Sequence, residues 1–314
     1  MASFIDKVTD STGAFFINEL ERLDPIVNEP LVAYTWARDI DLRQDVSMGD
    51  EIASYLRLGY GAVGGIKAEG KNWGSQLNTA IPKVQLDAEK DMDVLHLWNI
   101  AQEYSIIELE QSIRAGRPLD DYFQRAVNLK WNTDNDEYVY IGDTTFNETG
   151  ILNNPTVPIS ATSIDFTTAT ADEILAAVNE VLTEAWMNSG WAVVPNKVIV
   201  SPRIFSALVS RKVSEAGNVS ILEYIRANSI ARAQNNRELD IVPVKWAQGL
   251  GTGGGDRLIA YTQSYQYLRY PLVPMQRTDP TRIDLYYRIV YFCKMAPVQI
   301  VYPETMHYLD VTFS

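Results

Sequence analysis

Apolar residues recur at helical spacing in the middle of the chain and then give way to short apolar runs. In TADEILAAVNEVLTEAWMNSG they return every three or four positions, which predicts one amphipathic helix. Thr170 and Glu173 have the spacing of a capping box at its start. The run WAVVPNKVIVSP predicts a buried strand, and Ser201 with Pro202 predicts the start of another helix. Strand and helix patterns alternate to the C-terminus, so the sequence predicts a mixed α+β fold.

A second, longer helix is predicted between Pro118 and Gly142. Proline suits the first helical position, and Asp120 and Asp121 suit the positive end of the helix dipole. About 24 residues at about 1.5 Å each would make a rod of roughly 36 Å. The residues predicted to share one face of it are Leu119, Tyr122, Phe123, Ala126, Lys130, Tyr138 and Ile141. LHLWNIAQEYSI predicts a strand before this helix, and the turn-rich YIGDTTFNETGILNNP predicts a structural connector after it.

Residues 51–90 have the composition of a long β-hairpin. Six glycines lie among Tyr, Val, Ile and Trp, and GIKAEGKNWG suits the tip. Two strands of about twelve residues would extend roughly 40 Å at about 3.3 Å per residue. Because an isolated two-stranded hairpin is only marginally stable in water, this hairpin is predicted to need a neighbouring surface.

The first fifty residues predict an arm rather than a domain. Phe15 and Phe16, with two leucines further on, line one face of a short predicted helix bounded by Pro25, and EPLVAYTWARDIDL looks extended. These apolar residues are too few for a separate core. The sequence therefore predicts that about the first ninety residues are completed by adjacent copies of the chain.

Composition adds an acidic charge and a single cysteine. Lys and Arg number 27 against 40 Asp and Glu, which gives a net charge of −13 and a pI of about 4.7. Because nucleic-acid binding rests on clustered basic residues, the surface is not predicted to grip DNA, although a container for DNA has no need to. Cys293 lies in the apolar run IVYFCKMAPVQIVY and is predicted to be a buried thiol. The sequence predicts neither a secretion signal nor a membrane span.

Four acidic residues near the end of the long helix form a candidate ligand site, namely Asp134, Asp136, Glu137 and Asp143. The pattern lacks the sharp-turn glycine of a calcium loop and the lysine of a P-loop. A structural turn is therefore favoured, and an enzyme that uses this acidic cluster is the alternative from another class.

Other motifs favour packing over chemistry. GLGTGGGD contains a formal G-x-G-x-x-G, but the apparent strands VPVKW and DRLIAYT flank it, where a dinucleotide site needs a helix. His96 and His307 are the only histidines, and they lack the neighbouring ligands of a zinc signature. The sequence predicts no enzyme activity, no catalytic residue, no cofactor and no metal.

The order of these elements and several stretches of sequence resemble the major capsid protein of tailed bacteriophages with the Hong Kong 97 fold. The similar stretches are FIDKVTDSTGAFFINELERLDPIVNEPLVAYTWARDIDL, GNVSILEYI, PVKW and VYPET, and the resemblance extends over nearly the whole chain. It implies an N-terminal arm, an extended loop, a peripheral domain with a long spine helix, an axial domain and a C-terminal return to the peripheral domain, at residues 1–50, 51–90, 91–190, 191–280 and 281–314.

The resemblance also implies what the protein does. Copies would form the pentamers and hexamers of an icosahedral phage head that encloses double-stranded DNA, with a portal and separate scaffolding or decoration proteins as partners and no membrane. The chain would be made in the host bacterial cytoplasm and reside in the virion. The alternative is an encapsulin-type nanocompartment shell that holds an enzyme cargo. The residues expected at contacts between subunits are Phe15, Phe16, Trp36, Arg57, Tyr60, Lys67, Lys71, Trp73, Gly251 and Gly253.

Overall fold

The chain folds into alternating helices and strands, which a computed structural model describes for residues 30–63, 83–114, 119–213 and 219–312. The α-helices are α1 (Trp36–Asp39), α2 (Ile106–Arg114), α3 (Leu119–Tyr140), α4 (Ala171–Asn188), α5 (Pro202–Ser210), α6 (Ile221–Asn228) and α7 (Ile230–Asn235). The strands are β1 (Asp41–Arg43), β2 (Ile52–Val63), β3 (Lys83–Val94), β4 (His96–Ser105), β5 (Ile159–Asp165), β6 (Lys197–Val200), β7 (Asp240–Pro243), β8 (Asp256–Tyr261), β9 (Leu268–Pro271), β10 (Gln276–Arg277), β11 (Thr281–Ile283), β12 (Tyr286–Met295), β13 (Gln299–Ile300) and β14 (His307–Thr312). The mixed α+β prediction is confirmed.

A five-stranded sheet holds a large part of the apolar core. Its strand order is β5-β14-β8-β6-β7, with β14 antiparallel to β8 and parallel to β5. On β6, Val198 and Val200 pack in the cluster that includes α4 and α5, whereas Ile199 packs in the cluster around the end of α3. Both faces of the sheet are covered, so the whole of β6 is buried, as its apolar run predicted.

Helix α4 follows its predicted pattern. Thr170 accepts a hydrogen bond from the backbone N–H of Glu173, and the Glu173 carboxylate accepts one from the Thr170 N–H at 2.7 Å, which completes the capping box. The buried residues of the helix recur at helical spacing and are Ile174, Ala177, Val178, Val181, Leu182 and Ala185.

A second sheet supports the long helix α3. Strand β4 pairs antiparallel with β12 along all ten of its residues, and β10 and β11 extend the sheet. The N-terminal half of α3 packs through Val127 on Tyr104 and Tyr291 of this sheet. The C-terminal half enters the main core through Val139 and Tyr140, which are fully buried.

The face of α3 predicted to be shared is correct only in part. Tyr138 is buried, but Ala126 and Lys130 are exposed. Asn135 and Asp136 are buried instead, because the first accepts a hydrogen bond from a tyrosine hydroxyl and the second from two backbone amides. Hydrogen-bond partners rather than hydrophobicity permit this burial, so an apolar pattern does not predict it.

The connector after α3 is a structural turn, as predicted. Gly142 has a φ of 82°, and a Cβ atom there would overlap the Glu148 carbonyl oxygen. Further along, Ile151 donates its backbone N–H to the Val139 carbonyl at 2.9 Å and is fully buried. The turn-rich stretch thus closes the helix and returns the chain to the core.

Residues 34–50, which the sequence assigned to an arm of residues 1–50, lie in the compact unit that runs from Tyr34 to Ser314. The Trp36 side chain is 3% exposed and lies in the main core. Asp136 of α3 accepts hydrogen bonds from the N–H groups of Thr35 and Trp36 at 2.7 and 3.1 Å, which satisfies the start of α1. Strand β1 then pairs in parallel with β9.

A buried ion pair fixes the same segment to the five-stranded sheet. The Lys197 Nζ lies 3.0 Å from Asp39 Oδ1, and both side chains are almost fully buried. Burial raises the pKa of Asp39, but hydrogen bonds from Arg38 and Tyr140 and the charge of Lys197 outweigh it. The pKa of Asp39 therefore lies below its ordinary value, so this carboxyl group is ionised at neutral pH.

Candidate assembly surface

The hairpin is formed by β2 and β3, which pair antiparallel along their whole length. Each strand has twelve residues, and the register runs from Ile52 opposite Val94 to Val63 opposite Lys83. The two predicted strands are confirmed, with the second reaching Val94 rather than ending at residue 90.

One face of the hairpin is apolar and exposed. Alternate side chains of a strand point to the same face, and directly paired residues share that face. The large apolar side chains on the face of Ile52 are between 51% and 66% exposed, and they are Ile52, Leu56, Leu58, Leu86, Met92 and Val94. We call this set the apolar face. Lys90 lies on the same face, opposite Leu56, and an exposed group of large apolar side chains of this kind is typical of a contact with another molecule.

The opposite face of the hairpin is polar and carries ion pairs. The Arg57 guanidinium lies 2.8 Å from Asp91 Oδ2 and 3.4 Å from Glu89 Oε2. Burial and the charges of Asp91 and Asp93 raise the pKa of Tyr55 on this face to about 12. The hairpin is therefore amphipathic with a period of two residues.

The base of the hairpin packs on the body through a small separate core. Ala53 and Leu95 join a cluster of buried residues with Val273 and Ala296. Leu95 also donates its backbone N–H to the Glu51 carbonyl at 2.9 Å. The hairpin is thus fixed at its base, while most of the apolar face lies farther along the strands.

The other expected contact residues lie in different settings. Arg57 is on the polar face, and Tyr60 is on β2 opposite Leu86. The Trp36 side chain, also expected at a contact, is buried in the chain's own core and packs edge-on against Trp131. The expected contacts that lie outside the described residues are Phe15, Phe16, Lys67, Lys71 and Trp73.

The glycine-rich loop before β8 forms a 3₁₀ turn at Thr252–Gly254, not the α-helix that a dinucleotide site needs. Gly253 is exposed and has a φ of 74°. Gly251 is buried, and a Cβ atom there would lie 2.9 Å from the Asp256 carbonyl oxygen. The absence of a side chain at Gly251 therefore permits close packing in the same chain.

Three of the four acidic residues in the enzyme alternative line one cleft. Asp134, Glu137 and Asp143 face about 340 Å³ of space at the end of α3, whereas Asp136 is buried. Lys130 pairs with Asp134 at 2.7 Å. Within the described part of the chain, no group of three or more His, Cys, Asp or Glu side chains could hold a metal ion. The contacts of the cluster are those of a structural turn.

The two histidines and the cysteine have packing roles. A ring nitrogen of His96 lies 2.8 Å from Glu148 Oε1, and the ring stacks on Phe146. His307 is buried on β14. Cys293 is fully buried, as predicted, and burial raises the pKa of its thiol to about 11. Over the described residues, the structure has no helix long and apolar enough to cross a membrane.

A second exposed apolar group, which the sequence analysis missed, lies at the far end of the β4–β12 sheet. Ile106 of α2 donates its backbone N–H to the Leu285 carbonyl in the β11–β12 turn at 3.0 Å. The exposed side chains of the group are Ile107, Ile113, Ile283, Leu285 and Tyr286. Every residue of α2 is at least partly exposed, although IIELEQSIR has an amphipathic pattern. The sequence could have predicted this exposed group, because the amphipathic helix α2 is too short and too polar to form its own core.

Two groups of large apolar side chains thus lie exposed in the described part of the chain, which favours contacts with other molecules. A model of the family described as major capsid protein matches residues 70–311, which is well over half of the 314 residues. The chain belongs to the major capsid protein family. It is a structural protein of the phage head, and the enzyme-holding compartment is not favoured.

Solved capsid structures share the fold of this chain. The capsid of Myoviridae phage XM1 is 16% identical, with a TM-score of 0.77 over 94% of this chain and 97% of that one. The capsid of a native GTA particle is 11% identical, with a TM-score of 0.63 over 93% and 95% of the two chains. A virus-like particle from Pyrococcus furiosus is 12% identical, with a TM-score of 0.52 over 87% and 91%. No curated protein sequence matches the chain. The fold is that of the Hong Kong 97 capsid class, as the resemblance implied.

Proposed function

We infer that copies of this chain associate head to tail into pentamers and hexamers, and that these close an icosahedral head around double-stranded DNA. In a head-to-tail ring, each subunit presents one surface and accepts a different one. The apolar face of the hairpin is the presented surface, and the body of the next copy covers it. The open apolar face is the single observation that carries this proposal.

The energy available from the apolar face is large enough to matter. Fully burying one Leu, Ile or Met side chain contributes about 1.5 to 3 kcal/mol, so covering six that are about half exposed contributes on the order of 6 kcal/mol per hairpin. Part of this gain offsets the loss of translational and side-chain freedom on association. Each copy also receives a neighbour's hairpin, so the contribution recurs at every contact around a ring.

The charge of the chain suits a container that does not adhere to its contents. The net charge of −13 repels a phosphate backbone. We expect the purified chain to leave duplex DNA free in a gel-shift experiment at about 0.15 M salt. Tight binding under those conditions would contradict the proposal that the shell only encloses DNA.

The domain division of the capsid class applies to this chain with two changed boundaries. The arm is restricted to residues before 34, and the extended loop runs from 51 to 94. The peripheral domain contains α3 as its spine helix, and the axial domain contains the sheet around β6. A portal and separate scaffolding or decoration proteins complete the partners, and synthesis takes place in the host bacterial cytoplasm.

Replacing Leu56 by aspartate tests the proposal at the centre of the apolar face. In the single chain the side chain is exposed, so Leu56→Asp is expected to change the free energy of unfolding by about 0.5 kcal/mol or less. In an assembled ring it would bury a carboxylate beside Lys90, its register partner, and removing such a pair of charges from water in place of an apolar contact is unfavourable. Electron microscopy and sedimentation of the purified variant should therefore show subunits but no closed particles.

Leu56→Met is the matched control at the same position. It keeps an apolar side chain of similar volume, so particles should form as they do for the unchanged chain. Closed particles of normal size from Leu56→Asp would contradict the assigned role of the apolar face.

A further inference from the structure

One buried amide at the base of the hairpin joins both of its strands to the body. Gln299 on β13 is 2% exposed. Its Oε1 accepts hydrogen bonds from Arg43 at 3.1 Å and Arg269 at 3.0 Å. Its Nε2 donates to the Ala53 carbonyl at 3.1 Å and to Asp93 Oδ2 at 2.8 Å. All four hydrogen-bonding positions of the side-chain amide are therefore occupied.

The orientation of this amide is dictated by its neighbours. The two groups beside Oε1 are guanidinium donors from the body, and the two groups beside Nε2 are acceptors on the hairpin. A rotated amide would place donors against donors and an oxygen against a carboxylate. Gln299 thus has one side that faces the body and another that faces the hairpin.

The hairpin is held at distinct points on its two strands. Gln299 contacts β2 at Ala53 and β3 at Asp93, and Arg43 donates a further hydrogen bond to the Ser54 carbonyl at 3.0 Å. The Arg269 guanidinium, which bonds to Gln299, also lies 5.4 Å from the centre of the Tyr55 ring. Both Gln299 contacts come from Nε2 and reach residues that are directly opposite each other, and the Arg43 contact lies one residue further along β2. Contacts to both strands at the base limit rotation of the ribbon, which a contact to one strand would leave free.

We propose that Gln299 is a positioning residue for assembly, which sets the direction of the hairpin and thereby aims the apolar face at the next copy. This inference rests on the proposed function, because the apolar face would meet its partner outside its own chain. Holding a binding surface in its bound direction before association reduces the entropy lost on binding. The network therefore acts on the rate and geometry of assembly, while the core of the body stays independent of it.

Gln299→Glu removes the contacts on the hairpin side of the residue and keeps those on the body side. The shape is kept, and the carboxylate can still accept hydrogen bonds from Arg43 and Arg269. On the hairpin side, however, an oxygen replaces the donor and meets the Ala53 carbonyl and the Asp93 carboxylate. We expect the unfolding midpoint of the body to be retained and amide exchange in β2 and β3 to accelerate. The yield of closed particles should fall by about tenfold.

The double variant Gln299→Glu with Asp93→Asn tests the same contact with the donor and the acceptor exchanged between β13 and β3. The amide introduced on β3 can donate to the carboxylate introduced on β13, so one hydrogen bond between the hairpin and the body returns. Slower exchange in the hairpin and a higher particle yield than in Gln299→Glu are expected. Asp93→Asn alone is the control, because it keeps an acceptor for Gln299.

Three results would overturn the inference. The first is a normal particle yield from Gln299→Glu despite faster exchange in the hairpin. The second is a failure of the double variant to recover any yield. The third is unfolding of the body in Gln299→Glu, which would make the residue a general stabiliser of the fold. If the unchanged chain with its assembly partners formed no particles, the proposed function itself would fail, and the two failures are thereby distinguishable.

Discussion

Two β structures in this chain place their apolar residues in opposite surroundings. On β14 of the five-stranded sheet, Leu309 and Val311 are at most 1% exposed, whereas Leu56 and Leu58 on β2 are 66% and 56% exposed. The side chains are of the same kind, so hydrophobicity alone does not decide burial. Helix α4 packs on β14 in the same chain, while the apolar face of the hairpin lies open. The sheet completes its core within the chain, whereas the apolar face of the hairpin is the surface that we propose another copy covers.

The largest expected effect contrasts a leucine from each region. Leu309→Ala would leave a cavity in a closed core and lower the free energy of unfolding of the unassembled chain by about 3 to 5 kcal/mol. Leu56→Ala is expected to change it by about 0.5 kcal/mol or less, because no core surrounds it. Urea unfolding of both variants measures the difference. Equal losses would show that the hairpin already has a partner surface in the single chain.

A buried ion pair in the body gives the next largest effect. Lys197→Met removes a cation from beside Asp39, which keeps its hydrogen bonds from Arg38 and Tyr140, so a loss of about 2 to 3 kcal/mol is expected. The matched control is Arg288→Met. Arg288 pairs with Glu103, both side chains are about half exposed, and such a pair contributes about 1 kcal/mol or less. Thermal unfolding of the unassembled chain distinguishes the two. A control that costs as much as Lys197→Met would remove the distinction between buried and exposed pairs.

Gly142 in the body and Gly59 in the hairpin are expected to differ in how well they tolerate a side chain. Gly142→Ala would place a methyl group against the Glu148 carbonyl at a positive φ, with an expected loss of about 2 kcal/mol. On the hairpin, a Cβ at Gly59 would lie 3.7 Å from the Asp87 Cβ, which is an ordinary contact. Gly59→Ala should therefore be neutral to within about 0.5 kcal/mol in urea unfolding. A loss from Gly59→Ala as large as that from Gly142→Ala would contradict this difference.

The smallest expected effect is a response to acid that differs in sign between the two regions. Burial raises the pKa of Asp93 at the hairpin base, and the negative charges of Asp91 and Glu148 raise it further. A hydrogen bond from Gln299 and the charge of Arg43 lower it, but the net pKa lies above its ordinary value. The folded chain then binds this proton more tightly than the unfolded chain. Acid therefore stabilises the hairpin base as the pH falls through the raised pKa towards the ordinary one.

Asp39 in the body responds in the opposite direction. Its lowered pKa contributes stability that is present above the ordinary carboxyl pKa and is lost as the pH falls through the folded value. In the hairpin, amide exchange of β2 and β3, corrected for intrinsic rates, should slow as the pH falls from neutral towards the ordinary carboxyl pKa. Tyr55 stays neutral throughout this range, because its pKa is about 12. In Asp93→Asn the slowing should disappear, and an unchanged response would assign it to another group.

The sequence predicted those parts of the molecule whose local pattern agrees with their final surroundings. Helix α4 has an apolar stripe, a capping box and a partner sheet in the same chain, so periodicity was sufficient. The hairpin was predicted from its glycines. The alternation of apolar and polar residues in IASYLRL and LDAEKDMDV also indicates which side chains form its apolar face. That signal shows which side chains share a face, whereas their exposure depends on what the rest of the chain covers.

Burial that depends on distant hydrogen bonds was not predictable in this way. Trp36 looked like a residue of an extended arm, yet Asp136, about a hundred positions away, accepts the N–H groups that begin α1. Asp136 itself looked like part of an acidic ligand cluster. The local sequence around each residue predicted an exposed position, and only the hydrogen bonds between the two segments explain why both are buried in the body.

The single thiol joins the spine helix to the sheet beneath it, because the Trp131 indole N–H of α3 points at Cys293 Sγ of β12 at 3.3 Å. Because this sulfur is fully buried, a reagent that modifies thiolates reaches it only when the surrounding core opens, so the labelling rate reports how often that happens. The chain thus contains its own probe of internal opening, which can follow one subunit from its free state into a finished shell without any added label.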